Sequence, residues 1–318
     1  MAKNNKAKYM NSMSVEGLLY DNKLEERVTG AQSKKSNTPY LTGTVDIATN
    51  SERTNVVSVY FSYVPSDSKI YPILKNIANG VLASVMKNNA DEAVALRIGG
   101  NVEINEWYSD KQLDDKGQPT LTSTRRARGS FIDIISRDSL MEDEEKRGNF
   151  MLDMLISSAT KIEANEERGY PEKVKLKGWI FNYKEEMFPV EFTVLHPEAM
   201  DYFISVAPNQ KDPLFTRVKG HVISMTTKVK QEVEGAFSTE IVEYTRTNKD
   251  WIVDFSAKEP YNFNDEGVLG FEDVRIKIAN REEYLAELKH RYEENKKKKA
   301  QSNPLANMSA AGGLDYIF

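Results

Sequence analysis

The sequence contains no cysteine, three histidines and three tryptophans. Without cysteine there is neither a disulfide framework nor thiolate-held zinc, and the chain suits a reducing compartment. His196, His221 and His290 stand in unrelated settings, so metal ligands are scarce and no metal site is expected. No apolar run nears the ~20 residues that a membrane-spanning helix needs. The basic start "MAKNNKAKYM" has no apolar stretch behind it. Neither a secretory signal nor a membrane partner is therefore expected, and the expected location is cytoplasmic (host cytoplasm if the chain is phage-encoded). A Walker-type phosphate loop and a His-Glu-x-x-His pair are missing too. The carboxylate clusters Asp114–Asp115 and "EDEE" (142–145) read as solvated loop and connector charge. A nuclease of scattered acids, which needs no fixed spacing, is the enzymatic alternative. The expectation is no catalysis and no cofactor.

What is present suffices for globular cores. Hydrophobic residues make up 40 % and charged residues 29 %, the balance of folded rather than disordered chains. A length of 318 residues suggests two domains more readily than one. The net charge of −5 gives no general attraction for polyanions, so any such surface has to be local.

Periodicity divides the chain into two similar series. The first has strands near 13–28, 39–49, 55–64, 94–108 and 120–136. Its helix is predicted over 68–88, from Ile70, Ile73, Leu74, Ile77, Val81, Leu82 and Val85. The second has strands near 149–164, 172–184, 187–195, 214–230 and 238–256, with a helix over 197–206 that opens at Pro197. Short stretches match between the series in unbroken order. Gly43 aligns with Gly178, Arg97 with Arg217, Gly100 with Gly220, Val102 with Val222, Arg126 with Arg246, Phe131 with Trp251 and Ser136 with Ser256. That is the pattern of a tandem repeat with loops of unequal length.

The stretch "KVKLKGWIFNYK" (173–184) is the most informative. On a strand, alternate side chains share a face. Val174, Leu176, Gly178 and Ile180 make an ordinary core face. Lys173, Lys175, Lys177, Trp179, Phe181 and Tyr183 make the other, three cations followed by three rings. Cations that neutralise phosphates beside rings that stack on bases form a single-strand platform, each stacked base contributing about 1–3 kcal/mol. The plainer alternative has Phe181 and Tyr183 packing under a loop or against the other module, with the lysines merely solvated.

Other residues extend the candidate surface. Arg217, Lys219 and His221 alternate with Val218, Gly220 and Val222, and Arg97 is the matching position in the first series. The stretch "RRAR" gathers Arg125, Arg126 and Arg128, and arginine both grips phosphate and stacks on bases. Arg246 is the counterpart of Arg126. For the hairpin arginines the alternative is pairing with Asp114 and Asp115. Tyr60 and Trp107 are stacking candidates, with half-buried packing as their alternative.

Five strands with a helix between the third and fourth resemble the OB-fold, a small, partly open Greek-key barrel. The resemblance covers roughly residues 13–258. It implies a mainly β (α+β) chain of two tandem OB-like five-stranded barrels, each with a helix between strands 3 and 4; beyond them the charge pairing and apolar stripe of 279–300 read as a C-terminal helix, and the linker-like composition after it as a flexible tail. The implied segments are a flexible arm (1–12), a first module (13–136), an acidic linker (137–148), a second module (149–258), an extension (259–300) with a helix over 279–300, and a tail (301–318). In that family the second and third strands and two loops bind oligonucleotides or oligosaccharides, which would place the 173–183 face on the binding surface. The implied role is to coat and protect single-stranded DNA, RNA being a second possible ligand, in phage DNA replication or recombination. The alternative is a virion or assembly protein whose aromatic faces are protein interfaces.

The end of the chain, "LDYIF", comprises Leu314, Asp315, Tyr316, Ile317 and Phe318. A linker ending in phenylalanine beside an acid resembles the C-terminal tip of bacterial and phage single-stranded DNA-binding proteins. The resemblance implies recruitment of replication or recombination proteins, although Asp315 and the terminal carboxylate stand where that family carries an acidic cluster.

Overall fold

The computed structural model describes residues 9–302, apart from residues 32, 34, 166–170, 235–238, 264, 266 and 267. For 225–247 and 299–302 it describes the backbone alone. Leu314, Asp315, Tyr316, Ile317, Phe318 and the side chain of Arg246 lie outside the described residues. The chain divides into two compact units, Met1–Glu103 with Arg125–Val268, and Ile104–Thr124 with Leu269–Phe318.

Among the described residues ten strands carry the fold: β1 (Asn11–Val28), β2 (Pro39–Ala48), β3 (Val56–Pro65), β4 (Ala95–Leu113), β5 (Pro119–Ile135), β6 (Gly148–Ile162), β7 (Lys173–Phe181), β8 (Met187–Val194), β9 (Leu214–Glu234) and β10 (Thr239–Ser256). The helices are α1 (Tyr71–Ala78), α2 (Pro197–Val206) and α3 (Phe271–Ser302). β1 pairs antiparallel with β2 and β2 with β3, β3 runs parallel to β5, β5 neighbours β4, and β4 returns antiparallel to β1. The same order recurs in β6, β7, β8, β10 and β9, with its one parallel step between β8 and β10. This order is compatible with an OB-like fold.

Burial follows the alternation that the sequence carries. Leu41, Val45 and Ile47 of β2 are buried beside Val59 and Phe61 of β3; Val174, Leu176 and Ile180 of β7 are buried beside Phe192 and Val194 of β8. Both first strands bulge against their second strands, β1 between Leu19 and Asp21 and β6 between Ile156 and Ser158. Glycine permits the close approach. A Cβ on Gly43 would lie 2.0 Å from the Lys23 carbonyl oxygen, and one on Gly178 would lie 2.1 Å from that of Leu155. Only a residue without Cβ lets the first strand press so tightly on the second.

The two strand series meet directly. Asn11–Val15 of β1 pair with Gly148–Leu152 of β6. Ser224 donates its N–H to Asn55 at 2.7 Å. The segment 1–12, expected as a flexible arm, contributes to the fold from Tyr9 onward. The Tyr9 ring is buried, 4.3 Å from the Phe181 ring and 5.8 Å from that of Phe215. The acidic connector is fastened as well: Glu144 accepts the Ser51 N–H at 3.0 Å, and Arg147 donates to the Thr49 carbonyl at 3.1 Å.

The first helix is much shorter than the predicted 68–88. It ends at Ala78 because Asn79 and Gly80 terminate it, Gly80 with φ +71°. Leu74 and Ile77 are buried, but Val81 is exposed. Beyond the turn, Val85 and Met86 donate their N–H groups to the Leu19 and Tyr20 carbonyls instead of continuing the helix.

In the smaller unit, residues 104–124 of the β4–β5 hairpin cluster with α3. Arg281 pairs with Glu106 in a buried contact, and Lys296 reaches Asp110 at 2.7 Å. Glu272 and Asp273 in the first turn suit the positive end of the helix dipole, and α3 starts at Phe271, ahead of the predicted 279.

Candidate nucleic-acid interface

The outward face of β7 retains the expected row. Lys173, Lys175 and Trp179 are half-buried and Lys177 is exposed, while Val174, Leu176, Gly178 and Ile180 are buried on the other side. Two of the expected rings leave the row. Phe181 is 1 % exposed and packs against Tyr9 and against Phe215 at 5.9 Å; it is a core residue and presents no face to a ligand. Tyr183 lies past the strand end, because the Asn182 carboxamide oxygen accepts the N–H groups of Lys184 and Glu186 and turns the chain. Its ring is 68 % exposed.

The lysines share their positive charge with acids on neighbouring strands. Lys175 Nζ lies 2.8 Å from Thr193 Oγ1, 3.3 Å from Glu191 and 3.8 Å from Asp250. Lys177 Nζ lies 3.8 Å from Glu191. Arg125 of β5 joins this group. Its guanidinium carbon stands 4.6 Å from the Phe192 ring centre and 5.0 Å from that of Trp251, and it donates to the Glu191 carbonyl. Burial lowers its pKa to about 10, against the opposing pull of Asp250 and Glu191, so it remains a cation at neutral pH. Three cations thus face two carboxylates, and the patch is positive by a smaller margin than the lysine count implies.

The remaining candidates divide by what holds them. Arg97 pairs at 2.7 Å with Glu16, which is 1 % exposed. Arg217 pairs at 2.8 Å with Asp153, which is 2 % exposed. Burying a carboxylate demands such a partner, so both arginines are committed to the fold. The Asp153 hydrogen bond raises the Arg217 pKa. Arg126 and Arg128 share Glu103 at 2.7 and 3.1 Å, where Asp114 and Asp115 were the expected acids. Arg126 also covers the Tyr60 ring at 3.9 Å, which occupies one stacking face of that tyrosine. His221 Nδ1 lies 2.7 Å from Asp254. Burial alone would lower its pKa, but the Asp254 hydrogen bond and the charges of Asp254, Glu145 and Asp143 raise it overall. Lys219 is exposed, with Nζ 5.3 Å from the Phe255 ring. Trp107 is half-buried in the smaller unit. The outward face therefore carries Lys173, Lys175, Lys177 and Trp179, while Arg125 packs on the buried rings of Phe192 and Trp251.

Among the described residues, the most exposed aromatic ring lies outside the expected site residues. Phe131 of β5 is 69 % exposed, although its sequence counterpart Trp251 is buried. The signal available in the sequence was its position at the end of an arginine-rich strand entry. Among the described residues no cluster of metal-binding side chains occurs, and no helix is long and apolar enough to cross a membrane.

The fold and this face define a mainly β chain with a large sheet and a cationic, aromatic strand surface. The family model YorF matches residues 9–291, and the chain belongs to that family. No match was found among the curated proteins. Among solved structures, the chain is similar to a deletion mutant of the single-stranded DNA binding protein from Thermus aquaticus, with 12 % identity and a TM-score of 0.44 over 82 % of this chain and 100 % of that one.

Proposed function

We propose that the chain is a non-catalytic single-stranded DNA-binding protein built from two OB-like barrels related by duplication. The observation that carries this reading is the outward row of β7, where Lys173, Lys175, Lys177 and Trp179 alternate with a fully buried apolar face. That row lies on the second strand of its series, the strand that OB-folds use for oligonucleotides. Lysine neutralises phosphate and Trp179 stacks on a base, with little dependence on sequence. The reading extends to a role in phage DNA replication or recombination, with residues 314–318 recruiting a protein partner; this part is drawn from the sequence alone.

Trp179 provides the test. Titration of the protein with an unlabelled mixed-sequence single strand is expected to quench its tryptophan emission, and a Trp179→Phe variant is expected to lose most of the quenching while still binding. Equal quenching in both proteins would remove Trp179 from the interface.

A further inference from the structure

Phe131 and Tyr183, two of the most exposed rings of the larger unit, line one cleft of about 230 Å³. Asn101 and Ser130 line it from the first strand series, and Asn182 from the turn between β7 and β8. We propose that this cleft holds one unpaired nucleobase where a single strand passes from the first series to the second. The assignment rests on the reading of the chain as a single-strand binder.

The composition of the cleft selects its ligand. Every lining residue is uncharged, so the site does not fit a phosphate or a carboxylate. Its volume falls below the roughly 300–1,000 Å³ of pockets that take drug-sized ligands, which suits one planar ring. Two aromatic walls favour a flat, polarisable occupant, because exposed ring surface gains by stacking.

The polar groups separate into scaffold and ligand-facing sets. The Asn11 carboxamide is fully engaged: it donates to the Val102 and Phe181 carbonyls at 3.0 and 2.9 Å and accepts the Val102 N–H at 2.9 Å. It thereby ties Val102 of β4 to Phe181 at the end of β7. The Asn182 carboxamide is engaged within its own turn. Among the described residues the Asn101 carboxamide has only a long contact of 3.5 Å to the Val102 carbonyl. Among the described residues the Ser130 hydroxyl makes no hydrogen bond, and it lies on the surface. A carboxamide and a hydroxyl both donate and accept, so together they can meet the edge of any base. Unstacked bases are recognised in this way, by a ring face and an edge contact.

The experiment uses the full chain and a single-stranded oligonucleotide of mixed sequence that contains 5-iododeoxyuridine. Irradiation is followed by mass spectrometry of the crosslinked peptides, and affinity is measured in parallel for Phe131→Ala and Tyr183→Ala. The expected result is crosslinking at Phe131 or Tyr183. Each variant is expected to bind about 5- to 150-fold more weakly, the loss of one stacked base converted at 1.4 kcal/mol per tenfold. Both are expected to melt at the native temperature, because the rings are exposed. If single strands bind, the crosslinks fall elsewhere and both variants match the native affinity, the cleft assignment is overturned and the proposed function stands. If single strands do not bind at all, both are overturned.

Discussion

Arg217 closes on Asp153 with two nitrogens, Nε to Oδ1 at 2.8 Å and the terminal nitrogen to Oδ2 at 3.2 Å. The two residues stand directly opposite each other on β9 and β6, as Arg97 and Glu16 do on β4 and β1. Each strand series thus buries an acid on its first strand and neutralises it from its fourth.

Replacing Arg217 by alanine leaves Asp153 buried with only the Met10 N–H and the Tyr261 hydroxyl as donors. Removing one partner of a fully buried pair costs about 3–5 kcal/mol. Arg217 is more than a third exposed, so a loss of about 2 kcal/mol is expected on urea denaturation. Single-strand affinity, compared at equal folded fraction, is expected to stay native. A selective loss of affinity with native stability would return Arg217 to the interface.

Gly178 tests the close approach of the strands. Alanine there would place its Cβ 2.1 Å from a backbone oxygen, and neither strand can shift without breaking its register. A loss of more than about 3 kcal/mol is expected, of the size reserved for named strain or packing faults. Gly30 has nothing within 4 Å of a built Cβ, so Gly30→Ala should change stability by no more than about 0.5 kcal/mol. Urea midpoints of the two variants check the contrast.

His221 should titrate above the ordinary histidine value of about 6.5, because the Asp254 carboxylate and its acidic neighbours outweigh burial. A pKa raised in the folded state contributes stability that is complete below the unfolded value and is lost as pH rises through the folded one. Histidine NMR titration of the native chain and Asp254→Asn measures it. The variant's His221 pKa should fall and the pH dependence of stability around neutrality should flatten.

Much of the strand layout was legible because alternation is a local property. All ten strands fall within a few residues of their expected spans, except where β4 and β9 run on past them, and α2 matches 197–206. The long first helix was not legible, since apolar spacing continues through Gly80 while the backbone leaves the helix there. The roles of Arg97 and Arg217 were hidden for a different reason. Their acids lie 81 and 64 residues away in sequence, and only the sheet register brings them together. Phe181 keeps the alternation of β7, but the Tyr9 ring from the N-terminal segment covers it, and that contact spans more than 170 residues of sequence. Phe131 was not legible because nothing in the sequence separates it from its aligned counterpart: Trp251 is buried and Phe131 is exposed.

The most direct test is fluorescence anisotropy of a labelled mixed-sequence single strand against a duplex of equal length, across several salt concentrations. It would be run on the native chain and on the Lys175→Ala/Lys177→Ala/Trp179→Ala variant. The account predicts tighter binding of the single strand, a log affinity that falls linearly with log salt as counterions are released, and weaker binding with a shallower salt slope in the variant. Absence of binding to either form at low salt would contradict it, and so would native affinity in the triple variant.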